Sequence, residues 1–273
     1  MQPTFNEKVV LITGGSSGIG KALAIQLLQQ GALVAVCARD AVKLEDLRKL
    51  NHANHLFLYS ADVSREAECQ GFVDAVLQHW GHIDMLINNA GISMRALFSE
   101  VDLDVLRRTM DINFWGTVYC TKFALPEIVK NKGIIVGISS IAGYKGLPCR
   151  TGYSASKFAM QGFLESLRIE LLPDQVHVMW VSPGFVASNI RNTALNAKGG
   201  TQKDTPLDEG KLMSAETCAS LILTAMLKRK RTLIMTLQGK LTVWMNKWFP
   251  GFVDRQVLNH FMNEADSPLK KKQ

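Results

Sequence analysis

A chain of 273 residues, 47% apolar and 20% charged, can bury a large core and has a soluble globular composition, which excludes disordered and collagen-like classes. The net charge of +7 lies partly in two solvated runs, Lys228-Arg229-Lys230-Arg231 and Lys270-Lys271-Lys272, and no zinc-finger spacing or RNA-binding aromatic motif accompanies it, so no nucleic-acid partner is expected. Cys37, Cys69, Cys120, Cys149 and Cys218 show neither metal-site nor redox-pair spacing and read as buried hydrophobes in a reducing compartment, with no metal implied.

Apolar runs then alternate with helical patterns. Val9–Thr13 is a short apolar run ending in glycines, as a strand buried on both faces requires. Residues 21–30 carry Leu23, Ala24, Leu27 and Leu28 at helical spacing before Gly31. Strands follow at Leu33–Ala38, Leu56–Ser60, Met85–Asn88, 133–138, 176–181 and 232–236. Helices are expected at 42–50, at Glu66–Trp80, over 103–130 with a break near Pro126, and at 153–172. This alternation implies right-handed crossovers and an α/β, doubly wound parallel sheet (a Rossmann fold) of about seven strands, whose ligands sit at the carboxyl ends of the strands. The polar segment 192–210 reads as a long loop of the kind that forms lids. Residues 1–8 have no secretory signal pattern and no apolar stretch is long enough to span a membrane, so a cytoplasmic location is expected.

Two motifs carry chemistry. After the first strand comes Thr13-Gly14-Gly15-Ser16-Ser17-Gly18-Ile19-Gly20, a turn that lets backbone approach a pyrophosphate at a helix amino end, with a spacing unlike the common G-x-G-x-x-G. Tyr153 and Lys157 stand four apart on one helix face. A tyrosine of ordinary pKa near ~10 is a poor base, but a neighbouring ammonium favours the phenolate and tunes it toward general acid/base work.

With Asp62-Val63, Asn88-Asn89-Ala90-Gly91, Asn113, Ser140, Tyr153-Ser154-Ala155-Ser156-Lys157 and Pro183-Gly184 in order, the chain resembles the short-chain dehydrogenase/reductase superfamily, single-domain kind, over roughly residues 8–236. The resemblance implies a catalytic set of Asn113, Ser140, Tyr153 and Lys157. Ser140 would donate to the substrate oxygen, with Ser139 the adjacent candidate, and Asn113 would hold a water in a proton relay. Gly14, Ser16, Ser17, Gly18, Ile19 and Gly20 would cradle the cofactor phosphates. Asp62 and Val63 would meet the adenine, and Asn89, Ala90 and Gly91 would line the floor. Lys157 would bind the nicotinamide ribose, and Pro183, Gly184, Val186 and Ser188 the carboxamide end. Arg39 stands where the family reads a 2′-phosphate, with Ser16 nearby, so NADP(H) is favoured; NAD(H) through Asp40 is the alternative. Ser17 departs from the basic residue that many NADP-dependent relatives carry there.

Beyond residue 238 the resemblance thins, which divides the chain into a catalytic domain, 1–238, and an amphipathic helical extension, 239–273. Trp244, Lys247, Trp248 and Phe249, then Phe252, Val253, Val257, Leu258, Phe261 and Met262, suit a cover for the substrate pocket or a subunit interface; peripheral membrane contact is the other reading. Leu97, Phe98, Leu147, Phe185 and this tail are candidates to line an apolar cleft. The expected protein is an NADP(H)-dependent oxidoreductase interconverting an apolar ketone or aldehyde and an alcohol, as a homodimer or homotetramer. A non-catalytic NADP(H)-binding regulator and a same-fold epimerase or dehydratase are the rivals.

Overall fold

Runs such as Val9-Val10-Leu11-Ile12 have no polar face to give to solvent, so they must pair edge to edge and be covered on both sides. The computed structural model describes residues 4–50, 54–184, 186, 190, 193–202, 212–264 and 267–272. In it β1 (Val9–Thr13), β2 (Leu33–Ala38), β3 (Leu56–Ser60), β4 (Met85–Asn88), β5 (Ile134–Ile138), β6 (His177–Ser182) and β7 (Thr232–Ile234) form one parallel sheet, ordered β3-β2-β1-β4-β5-β6-β7. The order reverses between β1 and β4, which opens the crevice where doubly wound folds bind ligands.

Period-two alternation divides the strands between two cores. Val10 and Ile12 of β1 join Leu23 and Leu27 of α1 (Gly18–Gln29) and Ile222 and Met226 of α7 (Ala215–Leu227) on one face. Val9 and Leu11 join Phe72 and Val76 of α3 (Glu66–Trp80), Ile128 of α5 (Gly116–Lys130) and Leu164 of α6 (Thr151–Glu170) on the other. The expected helix at 42–50 is α2 (Ala41–Arg48). All five cysteines are free and buried.

The stretch 103–130 departs from expectation. It is α4 (Leu103–Met110), a π-helical turn (Asp111–Trp115) and α5, and Pro126 lies inside α5 without ending it. Pro126 and Lys122, whose carbonyl the proline cannot pair with, are both exposed, on the solvent side of α5. The irregularity falls instead at Asn113, where the wider turn carries a fully buried amide.

Of the loop 192–210, residues 193–202 are described and are tied to the loop after β4: the Leu195 amide donates to the Ser93 carbonyl and the Arg95 amide to the Leu195 carbonyl, both at 2.9 Å. The rest of that segment lies outside the described residues. The chain closes with α8 (Leu237–Trp248), capped by Thr236, and α9 (Pro250–Met262). Asn246 Nδ2 donates to the Tyr144 carbonyl at 3.1 Å, and Lys145 pairs with Asp254, so both helices are fastened beside the carboxyl end of β5. Among the described residues no helix is long and apolar enough to cross a membrane.

Candidate active site

The loops leaving β1 and β4 are locked together. Thr13 Oγ1 accepts the Asn89 and Ala90 amides, each at 3.0 Å, and Asn89 Nδ2 donates to the Thr13 and Gly14 carbonyls at 2.9 Å. Gly14 has φ +64°, and a Cβ there would sit 2.7 Å from the Ala90 Cα, so both its conformation and its neighbour require glycine. A Cβ on Gly20 would sit 2.4 Å from Asn89 Nδ2. Helix α1 starts at Gly18; the Ser17 side chain makes no capping bond and the first turn has no acidic residue. Its amino-terminal N–H groups are thus available to an anion, and this cradle fits a pyrophosphate.

At the end of β2 the two rival readers behave differently. Asp40 caps α2, its Oδ1 accepting the Lys43 amide at 3.1 Å while Oδ2 pairs with Lys43 Nζ at 3.1 Å. These contacts with Lys43 hold its carboxyl below the usual range. Arg39 makes only a 3.9 Å contact with Asp62 and is more than half exposed. Asp62 is itself occupied, accepting the Ser64 amide at 3.0 Å and hydroxyl at 2.8 Å.

Helix α6 brings the chemical groups. A Cβ on Gly137 of β5 would lie 2.4 Å from Leu164 Cδ1, so its absence leaves that side chain of α6 its place against the strand. Lys157, only 3% exposed, then donates through Nζ to the Ile138 carbonyl at 2.8 Å, and that Nζ lies 5.8 Å from the centre of the Tyr153 ring. Burial pushes Lys157 down to about 7. Burial also raises Tyr153, while the Ser140 hydroxyl bonded to it and the charge of Arg150 pull it back. The neighbouring Ser139 hydroxyl is taken by Gln161 Nε2 at 2.8 Å. Asn113 is spent on structure: it accepts the Ile92 amide at 2.8 Å and donates to the Ile92 carbonyl and Ser156 hydroxyl, each at 2.9 Å.

One cleft of about 990 Å³ unites Gly14, Ser16, Ser17, Gly18, Ile19, Arg39, Asp62, Val63, Asn89, Ala90 and Gly91 with Ser140, Tyr153, Lys157, Pro183, Gly184 and Val186. Gly20 and Asn113 stand behind its wall, and Ser188 and Phe185 lie outside the described residues. Leu147 and the tail residues Met245, Phe252, Val253, Val257 and Phe261 line it. Leu97 and Phe98 do not: Leu97 is buried in packing and Phe98 is exposed. Three charged lining residues went unnoticed in the sequence. Lys43 follows Arg39 by four positions, a signal that was readable, whereas Arg150 and Glu264 meet only in the folded chain.

The sequence pattern described as short chain dehydrogenase matches residues 8–199. A relative named 11-beta-hydroxysteroid dehydrogenase 1A, from Arabidopsis thaliana, is 36% identical over 235 residues, which are 82% of this chain and 67% of that one. A short chain dehydrogenase/reductase from Burkholderia phymatum, solved in complex with NAD, superposes with a TM-score of 0.80 at 23% identity, covering 92% of this chain and 96% of that one. An alcohol dehydrogenase from Thermococcus sibiricus, solved with 5-hydroxy-NADP, gives 0.74 at 24% identity, covering 84% and 96%.

Proposed function

The chain belongs to the short-chain dehydrogenase/reductase family of oxidoreductases, and we propose that it is an NADP(H)-dependent carbonyl reductase or alcohol dehydrogenase for an apolar, lipid- or steroid-like substrate, with Tyr153 as the acid/base. The observation that carries this reading is the single cleft that holds the glycine turn at one end and Ser140, Tyr153 and Lys157 farther along.

A nicotinamide cofactor, when bound, supplies or takes up the hydride. Tyr153 gives its phenolic proton to the carbonyl oxygen in reduction and removes the hydroxyl proton in oxidation. Ser140 gives its one hydroxyl proton to Tyr153 in the free site, favouring the ionised phenol, and turns it to the substrate oxygen once substrate is bound. Lys157, fixed by Ile138, adds positive charge beside Tyr153 when protonated and keeps further N–H donors for ribose hydroxyls. Asn113 acts by holding Ile92 and Ser156, and its water-relay role remains part of this proposal.

Arg39 supports NADP(H), because it is held loosely while both Asp40 oxygens are engaged by Lys43. The apolar tail against the cleft and the name of the Arabidopsis relative support a lipid- or steroid-like substrate. Phe158, Ile169 and Leu172, exposed on and just after α6, suit self-association into a dimer or tetramer. The outer face of α8, with Leu237, Leu241, Trp244 and Trp248 exposed beside Lys247, suits peripheral contact of an otherwise cytoplasmic protein with a membrane.

The test is a paired titration with NADPH and NADH, read by tryptophan fluorescence, followed by a panel of apolar ketones. Tighter NADPH binding and ketone-dependent NADPH oxidation are expected. Preference for NADH overturns the cofactor assignment, and binding of neither overturns the enzymatic reading.

A further inference from the structure

Helix α6 meets the carboxyl end of β5 with three polar side chains spaced four apart. Tyr153 is bonded to the Ser140 hydroxyl, and Lys157 Nζ donates to the Ile138 carbonyl at 2.8 Å. Gln161 stands one turn beyond Lys157 on the same face. Its Nε2 donates to Ser139 Oγ at 2.8 Å, with a longer contact of 3.5 Å to the Ser140 carbonyl. Gln161 and Ser139 are 8% and 4% exposed.

A buried amide is costly unless it is hydrogen-bonded, and nearby Met160 and Leu164 show that the sheet side of α6 otherwise takes apolar residues. The surroundings of Gln161 say what the amide is for. The Ser139 amide donates to the Val181 carbonyl at 2.7 Å, so Ser139 still belongs to the sheet and Ser140 is where the chain leaves it. Ser140 opens the 3₁₀ turn Ile141–Gly143, its hydroxyl accepting the Ala142 amide at 3.1 Å and its carbonyl the Gly143 amide at 3.0 Å. A Cβ on Gly143 would collide with the Gln161 amide and with Ser139 Oγ, so Gln161 fills the hollow beneath this turn. Gln161 thus touches the residue before Ser140 and the end of the turn after it, from the helix that carries Tyr153. It does not line the cleft.

We propose that Gln161 is a positioning residue: through Ser139 and the turn closed at Gly143, it holds the Ser140 hydroxyl within reach of Tyr153 and of the substrate oxygen. The inference rests on the acid/base reading for its effect on turnover, and on the bonding geometry alone for its effect on Tyr153. A misplacement of about 1 Å at a reacting group costs up to about a hundredfold in rate, so a support that never meets substrate still shows in kcat.

The experiment uses Gln161→Met, which keeps the length of the side chain and removes its amide, alone and together with Ser140→Ala. Tyr153 ionisation is followed without cofactor, by ultraviolet difference absorbance against the corresponding Tyr153→Phe protein, and ketone reduction is followed in parallel. Gln161→Met is expected to move the Tyr153 titration to higher pH, as loss of the Ser140 bond does. It should also lower kcat about ten- to a hundredfold, with KM within a few-fold. In the Ser140→Ala background it should leave the titration in place and change kcat by no more than about twofold. A role confined to stability lowers the melting temperature and leaves the Tyr153 titration of the single variant unmoved, and that result overturns the proposal. So does an undiminished fall in kcat when residue 140 is already alanine. If Gln161→Met does not fold, Ser139→Ala, which removes the acceptor of the same bond, carries the same comparison. Tyr153→Phe turnover near the native rate, with a Tyr153 titration that still answers to Gln161, contradicts the acid/base reading and leaves the assignment of Gln161 standing.

Discussion

Lys157 stands one helical turn beyond Tyr153, with Nζ 5.8 Å from the centre of the tyrosine ring. Both residues are referred to the end of β5, Lys157 through its 2.8 Å bond to the Ile138 carbonyl and Tyr153 through Ser140. Strand β5 therefore sets the position of the acid/base relative to the group that tunes it. Gly137 of the same strand leaves room for the Leu164 and Met160 side chains of α6.

The Ser140 bond favours ionised Tyr153, so its removal has a definite sign. Ser140→Ala is expected to raise the Tyr153 pKa and to move the rising limb of alcohol oxidation to higher pH. It also removes a donor to the reacting oxygen, which costs about 10²–10³ in kcat. A pH–rate profile of the variant checks both effects, and a lower-pH shift contradicts the assignment.

Lys157 links the site to stability. Burial pushes it down to about 7, whereas an unfolded lysine titrates near ~10.4. Below the folded value the ammonium is charged in both states and the full cost of burying it opposes folding. Between the two values the unfolded chain binds the extra proton, so this group makes stability rise with pH, by up to about 1.4 kcal/mol per pH unit. Urea melts of the cofactor-free protein should show that rise, and Lys157→Met should lack it and gain most at the acid end.

Arg39 and Asp40 make separable predictions. Arg39→Ala should weaken NADPH about ten- to a hundredfold and leave NADH nearly unchanged. Asp40→Ala should lower the melting temperature slightly by removing the α2 cap, with little effect on either nucleotide. Fluorescence titrations alongside thermal melts separate the two. Loss of NADH binding in Asp40→Ala would return the ribose-reading role to that carboxylate.

Most of the fold is legible in the sequence because a parallel sheet covered on both faces needs continuous apolar runs. Val9–Thr13, Leu33–Ala38, Leu56–Ser60 and Met85–Asn88 are such runs and appear at those limits. The glycine turn and the Tyr153 helix are local motifs, and the sheet brings their residues to one cleft. The misreadings are of a different kind. Pro126 is a breaker by local rules, but it stands on the solvent side of α5, while the π-helical turn at Asn113 answers to Ile92 and Ser156, which no local rule sees. Leu97 and Phe98 sit near cleft residues in sequence yet turn elsewhere. Arg95 and Glu264 are 169 positions apart, and only the path of α8 and α9 over the cleft brings them together.

The most direct test of the central claim is Tyr153→Phe, which removes one oxygen and keeps the ring. Turnover of a reducible ketone with NADPH is expected to fall by about 10²–10⁴-fold while NADPH affinity stays within a few-fold. Turnover that persists near the native rate, in a variant that still binds NADPH, would contradict Tyr153 as the acid/base.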